Sequence, residues 1–443
     1  MTADAGRVLV VGAGVAGLAA ATALGRAGVQ VLVVDQALAP GGSKYRQRPR
    51  GKDAGSRDMP VDAAWTRVMA RLSGVAPLVE LRCNTRYCGV DVNGRVLLTD
   101  GSGVCSQWMT PRAVVLGTGA RERVQPRAGW TLPGVMTAGA IQVGIKMTGQ
   151  APAGQIVLAG SGPLLLAVGA LLVRLGRPPV AIVEAGNPWR RPWRALGLPP
   201  SYLAEALACF ARLRVAGVPL LTNAHVTRIE AAPVGRLRVT VDSGQEQHRL
   251  ACDQVGLHDG IASNDYGPGA APGLIVRLAG DCREALGARA AEADGRQVGM
   301  ALAAVLTGRP EPAGQDGVVA RERRAQARLS QLFAHDGLQR LAALPGDTVV
   351  CRCEQRTIDD LRILGPAPTT RQLRLNGRFA MGACQGRFCA EWVATLADPS
   401  NDAAAAQLQG ARWPARPVSI AALLAADADH DSAIAPVAPS RAP

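Results

Sequence analysis

Lysine is nearly missing from this 443-residue chain, which has only Lys44, Lys52 and Lys146. The other basic residues are arginines, scattered rather than set in stripes, and they leave a formal net charge of +14. Such a balance first suggests nucleic acid. Aromatic residues for base stacking are only 3% of the chain, however, and no RNA- or DNA-binding signature occurs. Beside abundant Ala, Gly and Pro, the arginine excess reads as the codon bias of a GC-rich genome, with an acidic protein partner as the alternative. Histidine is also scarce. His225, His248, His258, His335 and His430 stand apart from one another and read as surface or loop residues, so no catalytic residue is named. A C-x-x-C pair is missing, which argues against disulfide reductase chemistry. The apolar start, Val8 to Leu24, is interrupted by glycines and has no cleavage site after it, so it reads as a buried strand and helix and not as a signal peptide. The chargeless run Ile156 to Val173 approaches bilayer length, but Gly160-Ser161-Gly162-Pro163 breaks it into a buried strand, turn and helix. A cytoplasmic chain without a membrane span is expected.

A hydrophobic fraction of 48% excludes wholesale disorder, and the length calls for two or three domains. Arg7 to Val11 reads as an apolar strand, followed by Gly12-Ala13-Gly14-Val15-Ala16-Gly17 and an alanine-rich helix to about Arg26. A second strand, Val29 to Val34, ends on Asp35, 18 residues beyond Gly17. Each part has a physical task. Gly12 permits the tight turn, Gly14 lets a pyrophosphate approach the backbone, and Gly17 lets helix and strand pack closely. The helix N-terminus offers free N–H groups to phosphate, and Asp35 can accept from ribose hydroxyls. This is a dinucleotide-binding βαβ unit. Pro40-Gly41-Gly42 follows as a loop able to wrap a flavin nucleotide. An antiparallel insert is expected over Val79 to Thr99 with a turn at Asn93-Gly94. A strand then ends in Leu116-Gly117-Thr118-Gly119, and a later one, Leu274 to Ala279, ends in Gly280-Asp281. Asp281 can also act as a helix N-cap.

A second unit of the same kind is expected between these parts. Gln155 to Ala159 forms its strand, Gly160-Ser161-Gly162 its turn, and a strand from Val180 ends on Glu184, 22 residues after Gly162. Leu165 stands where the third glycine belongs, which should loosen helix–strand packing. NAD(P), another adenine nucleotide and an empty fold all stay open for this unit. Residues 311–345 read as a helical, charged connector. The end of the chain, from about Asp427, reads as disordered.

The ten cysteines suggest no disulfide framework, because four of them are bunched. Cys351 and Cys353 form C-x-C, and after thirty residues Cys384 and Cys389 form C-x4-C. Two close thiolate pairs suit either zinc or an iron–sulfur cluster. Structural zinc usually takes C-x2-C pairs, so this spacing favours two irons bridged by sulfide. Arg352, Arg374, Arg378 and Arg387 are candidate cations for the negative centre.

The three-part set of Gly12 to Asp35, Thr118-Gly119 and Gly280-Asp281 resembles flavoproteins of the glutathione-reductase type. There the final Asp reaches the ribityl chain of FAD, a role the resemblance gives to Asp281. The cysteine segment is similar to the [2Fe-2S] domain of the bacterioferritin-associated-ferredoxin type. Gly42-Ser43-Lys44-Tyr45-Arg46, Thr118 to Arg123 and Gly129 to Ala140 are similar to the α subunits of opine oxidases, hydroxyproline dehydrogenases and hydrogen cyanide synthases. Cys282-Arg283 depart from the small residues usual after Gly-Asp, and the stretch from His258 to Pro272 is shorter than in that group.

The resemblance implies an α/β chain with two Rossmann-like dinucleotide-binding domains and a small C-terminal [2Fe-2S] domain. Residues 1–145 and 270–310 would form the FAD domain, 150–265 the second dinucleotide domain, 346–397 the cluster domain and 398–443 a tail. Gly12, Gly14, Gly17, Asp35, Gly42, Thr118, Gly119, Gly280 and Asp281 would serve FAD, and Gly160, Gly162 and Glu184 the second nucleotide. Cys351, Cys353, Cys384 and Cys389 would hold the cluster. The implied function is electron transfer in a multisubunit amino-acid or amine dehydrogenase. Its partner would be a β subunit resembling D-amino-acid oxidases, with a small ferredoxin-like subunit, an interfacial FMN and a peripheral quinone-linked membrane contact left open. A stand-alone NAD(P)H-dependent reductase and a non-catalytic structural subunit are the competing readings.

Overall fold

The computed structural model describes residues 6–47, 62–244, 246–265, 271–314, 316–399, 404–409 and 413–434. Its centre is a five-stranded parallel sheet. Val8–Val11 lies between Val31–Val34 and Ala113–Leu116, with Val79–Arg82 and Ile275–Leu278 at the two edges. Three of these strands bury all four side chains, as strands covered on both faces must. A second sheet of five parallel strands has Ile156–Gly160 at its centre, between Ala181–Glu184 and Gln254–His258. Leu220–Thr222 and Val135–Thr137 form its edges.

Each sheet carries a three-stranded antiparallel companion, Thr85–Val90 to Ser106–Met109 on the first and His225–Ala231 to Gln247–Cys252 on the second. The expected antiparallel insert over 79–99 is corrected at its start, because Val79–Arg82 pairs in parallel with Val31–Val34. Four residues of strand pattern carry no direction. The helix Ala63–Ser73, which buries Trp65, Val68 and Leu72 at helical spacing, makes the crossover that sets it.

The helix Val15–Arg26 is clamped between the first sheet and the helix Ala288–Leu306. A Cβ on Gly17 would overlap the Gly12 carbonyl oxygen, and one on Gly295 would overlap the Ala16 carbonyl. Helix Pro163–Arg174 of the second sheet departs from the expected loose packing. Leu165 is fully buried, and the close approach is made one turn later, where a Cβ on Gly169 would stand 2.7 Å from Ile182 Cδ1.

The connector forms the helices Gly317–Leu332 and Gly337–Ala342. Beyond it, the short pair Val349–Cys351 and Arg356–Thr357 and the helices Ile358–Arg362, Thr370–Leu375, Ala390–Ala397 and Ala404–Gln409 surround their own core of Phe379, Trp392, Val393 and Leu408. The expectation of disorder from Asp427 is corrected over its described part. The helix Ile420–Ile434 packs on the first antiparallel sheet, with Ala426 fully buried and Trp108 Nε1 donating to Asp427 at 2.8 Å. Its alanines are strong helix formers, and composition alone does not reveal the surface that receives them. Residues 435–443 lie outside the described residues. Among the described residues no helix is long and apolar enough to cross a membrane.

Gly295→Ala should cost about 1–3 kcal/mol, because backbone cannot yield as a side chain can. Denaturant unfolding tests this, and an unchanged midpoint would count against the clamp.

Candidate nucleotide cleft and cysteine cluster

The carboxyl ends of the first sheet's strands open into a cleft of about 620 Å³. Gly12, Gly14, Asp35, Gly42, Thr118, Gly119 and Asp281 line it. Gly17 and Gly280 stand behind that wall. A Cβ at Gly280 would come within 2.5 Å of the Ala16 Cβ, so its role is close packing. Gly12 has φ of 104°, and a side chain there would overlap the Gly117 carbonyl. Gly42 faces the Gly14 Cα at a built Cβ distance of 3.1 Å. Two glycine backbones therefore form the narrow part of the cradle, where a pyrophosphate could lie against N–H groups of the helix N-terminus.

Asp35 accepts from Ala13 N and Ala37 N, both at 2.7 Å. It holds the glycine turn and reaches the cleft at the same time. Asp281 accepts from Leu286 N at 3.0 Å and Gly287 N at 2.8 Å. It is not the N-cap of the following helix, because Gly287 holds that position. Burial pushes its carboxyl above the usual range. Thr118 Oγ donates to the Asn264 carbonyl and contacts Cys282 Sγ at 3.1 Å, so the unexpected cysteine fills a packing position behind the cleft.

Sequence reasoning missed three cleft residues or supports. Arg416, assigned to a tail, lines the cleft and donates to Gln36 Oε1 at 2.8 Å. Lys146 donates to the carbonyls of Ser43 and Lys44, both at 3.0 Å, and so fixes the loop after Gly42. Burial, with Lys44 and Arg46 nearby, pushes its ammonium down to about 8. Arg121 lines both this cleft and a smaller cavity of about 430 Å³ beside it. Of these three, Arg121 alone had a signal, its place in the Thr118 to Arg123 motif.

The second turn is built differently. Gly160 has φ of 136° and Gly162 118°, as the turn requires. The Glu184 carboxylate accepts from Ser161 Oγ at 2.8 Å, Gly162 N at 2.9 Å and Gly186 N at 2.8 Å, and it is 3% exposed. Ser161 Oγ also reaches the Phe333 carbonyl at 3.1 Å, and the Phe333 backbone lies against Gly186. The connector thus covers the side of the turn where an adenosine would meet the acid. The isolated-surface reading of His258 is corrected as well: it is 4% exposed, and its Nδ1 lies 2.9 Å from Glu122 Oε1. His225 and His335 are partly buried, which lowers both imidazoles.

The four late cysteines come together from two loops. Cys353 Sγ stands 3.3 Å from Cys384 Sγ, and Cys351 and Cys389 are the buried members of the group. The proximity of Cys389 holds the Cys351 and Cys384 thiols below their usual range, and those two push Cys389 up. A Cβ on Gly382 would meet the Cys353 Cβ at 2.7 Å, so glycine is needed for the loops to meet. Among the described residues no three side chains are arranged to hold a single metal ion. As a donor set, four neighbouring thiols suit zinc or a thiolate-ligated iron–sulfur cluster. Of the expected cations, Arg387 faces Cys384 and donates to its carbonyl at 3.3 Å. Arg352 lies 5.1 Å over the Trp130 ring, Arg374 holds the Gln407 and Leu408 carbonyls, and Arg378 pairs with Glu354.

Residues 6–276, more than half of the chain, match the pyridine nucleotide-disulphide oxidoreductase family. The chain belongs to that family. It is also 32% identical to an opine oxidase subunit of Rhizobium meliloti (strain 1021), over 93% of this chain and 97% of that protein. With the hydrogen cyanide synthase subunit HcnB of Pseudomonas aeruginosa it shares 30% identity, over 86% and 90% of the two chains. The L-proline dehydrogenase structure from P. horikoshii has a similar fold, with a TM-score of 0.62 at 17% identity over 94% of this chain and 79% of that one. This pyridine nucleotide-disulphide oxidoreductase is therefore an oxidoreductase related to components of multisubunit enzymes, and its FAD/NAD(P)-binding fold supports a flavin cofactor.

Asp35→Ala removes the acceptor of two turn N–H groups, each worth about 1–3 kcal/mol to a charged partner. The purified variant should hold FAD at least tenfold more weakly, read as flavin released per protein on dilution. Equal flavin retention would remove Asp35 from the site.

Proposed function

We propose that this chain is the flavin and iron–sulfur electron-transfer subunit of a multisubunit amino-acid or amine dehydrogenase. The observation that carries the reading is a cluster of four cysteines, with Cys353 and Cys384 in contact, beside a glycine-walled dinucleotide cleft, and Arg121 lining both that cleft and the cavity next to Cys384. Its relatives, components of an opine oxidase and of a hydrogen cyanide synthase, support a partner that oxidises a C–N bond. That partner would be a flavoprotein resembling D-amino-acid oxidases. The domain division expected from the sequence belongs to this proposal, as do FAD in the first cleft and a [2Fe-2S] cluster on Cys351, Cys353, Cys384 and Cys389.

When bound, a flavin exchanges two electrons or one, and a cluster exchanges one. The chain's own part is to bind and orient. Gly12, Gly14 and Gly42 admit the pyrophosphate, Asp35 takes the adenosine ribose, and Asp281, also on the cleft wall, takes the ribityl chain. Cys351 and Cys389 are buried and would keep water from a cluster held by the four thiols, while Cys353 is exposed. Against the NAD(P)H-dependent alternative stands the Phe333 backbone over the second turn, with Glu184 spent on that turn's own N–H groups. A purely structural role leaves the cleft without a purpose.

Metal, sulfide and flavin analysis of anaerobically purified chain tests the reading. Two irons, two sulfides and about one flavin are expected, with visible absorbance unchanged by NADH. Cys384→Ala should lose most of its iron. Zinc in place of iron, full iron in Cys384→Ala, or bleaching by NADH alone would each overturn part of the proposal.

A further inference from the structure

The strand Ala120–Glu122 runs antiparallel to Ile261–Ser263 and sits where three parts of the molecule meet. Side chains alternate along a strand, so neighbours serve opposite sides. Glu122 points to the second sheet, where it accepts from Gly139 N at 2.9 Å and contacts His258. Arg121 and Arg123 point the other way, to the cysteine unit. Arg123 makes a bidentate pair with Glu391 and lies 5.2 Å from the Trp392 ring centroid. This contact joins the two units. Arg121 is placed otherwise. Its guanidinium carbon is 5.6 Å from the ring centroid of Phe388, which belongs to the loop between Cys384 and Cys389. The same side chain lines the nucleotide cleft and, with Cys384, Arg387 and Phe388, the cavity next to it. The charged groups facing it are Glu391, Arg123, Cys384 and Asp265.

We propose that Arg121 is a positioning residue that sets the reduction potential of the centre held by the four cysteines. Its guanidinium stands between the cleft and Cys384, partly withdrawn from water. A positive charge there stabilises the more negative, one-electron-reduced form of a thiolate-ligated centre. Burial matters, because a fully solvated arginine would be screened. Arg387 also lies beside Cys384, so removing Arg121 weakens this stabilisation without abolishing it. The cation–π contact with Phe388 holds the guanidinium at the loop that carries both Cys384 and Cys389. This inference rests on the cluster reading above.

The experiment is a spectroelectrochemical titration of the full-length, anaerobically purified chain, with dithionite as reductant. Arg121→Gln should keep iron and flavin, while its cluster potential becomes more negative. The reduced-to-oxidised ratio at a fixed potential should fall about tenfold, roughly 59 mV for one electron. Arg121→Lys keeps the charge and should restore the parent value. Arg362→Gln removes the same charge from an exposed position of the cysteine unit and should leave the potential unchanged. A loaded Arg121→Gln protein with the parent potential overturns the inference and leaves the cluster reading intact. If Arg121→Gln loses its iron, Arg121→Lys decides: a parent-like potential supports the charge argument, and a large shift overturns it. A parent chain without iron overturns the cluster reading and this inference together.

Discussion

The helix Val15–Arg26 touches backbone on both of its flanks, and the cleft takes its shape from those contacts. Gly17 lies on the Gly12 carbonyl, Gly280 on Ala16, and Gly295 and Gly299 on the carbonyls of Ala16 and Ala20. Segments more than 250 residues apart in the chain therefore meet with no side chains between them. The consequence is geometric. The first turn, the strand end at Gly117 and the Gly280-Asp281 corner are drawn to one place, and the wall facing a bound nucleotide is largely main chain. A dense core of Val, Leu and Ala on either side of the sheet stabilises this arrangement. Each fully buried leucine, such as Leu9, Leu18 or Leu24, contributes about 1.5–3 kcal/mol relative to exposure.

The second sheet shows how the same topology can be turned to another use. Four of its five strands follow the order of the first sheet, and so does its glycine turn, but its outer edge strand Val135–Thr137 precedes the central strand in the chain instead of following it. Leu165 takes the third glycine's position and Gly169 takes over its packing task. Glu184, buried among N–H donors, holds the turn from within, and the connector packs against it through the Phe333 backbone. Asp35 also holds its turn, but it stays at the edge of an open cleft. The difference between the two acids lies in what covers them.

Between the two sheets and the cysteine unit, one three-residue strand does the joining. Glu122 faces the second sheet while Arg121 and Arg123 face the cysteine unit, a division that follows from the pleat. Three arginine–aromatic contacts, Arg121 with Phe388, Arg123 with Trp392 and Arg352 with Trp130, cross the same boundary. Scattered arginines that look like a property of composition thus include several with defined places.

Much of the fold was legible because its signals are local. Glycine spacing, apolar runs and a terminal acid specify a βαβ unit within thirty residues, and the C-x-C and C-x4-C pairs single out four cysteines of one small unit. The direction of Val79–Arg82, the pairing of His258 with Glu122 and the docking of Ile420–Ile434 were not legible, since each depends on a surface supplied by distant chain. Arg416 is the clearest case: nothing around it in sequence marks it, and it enters the cleft only because the final helix folds back onto the first antiparallel sheet. By itself, then, the sequence determined where two glycine turns form and which cysteines lie in close pairs, because backbone conformation and residue spacing are short-range properties. Only the tertiary structure decided which turn stays open, because access depends on what long-range packing lays over it.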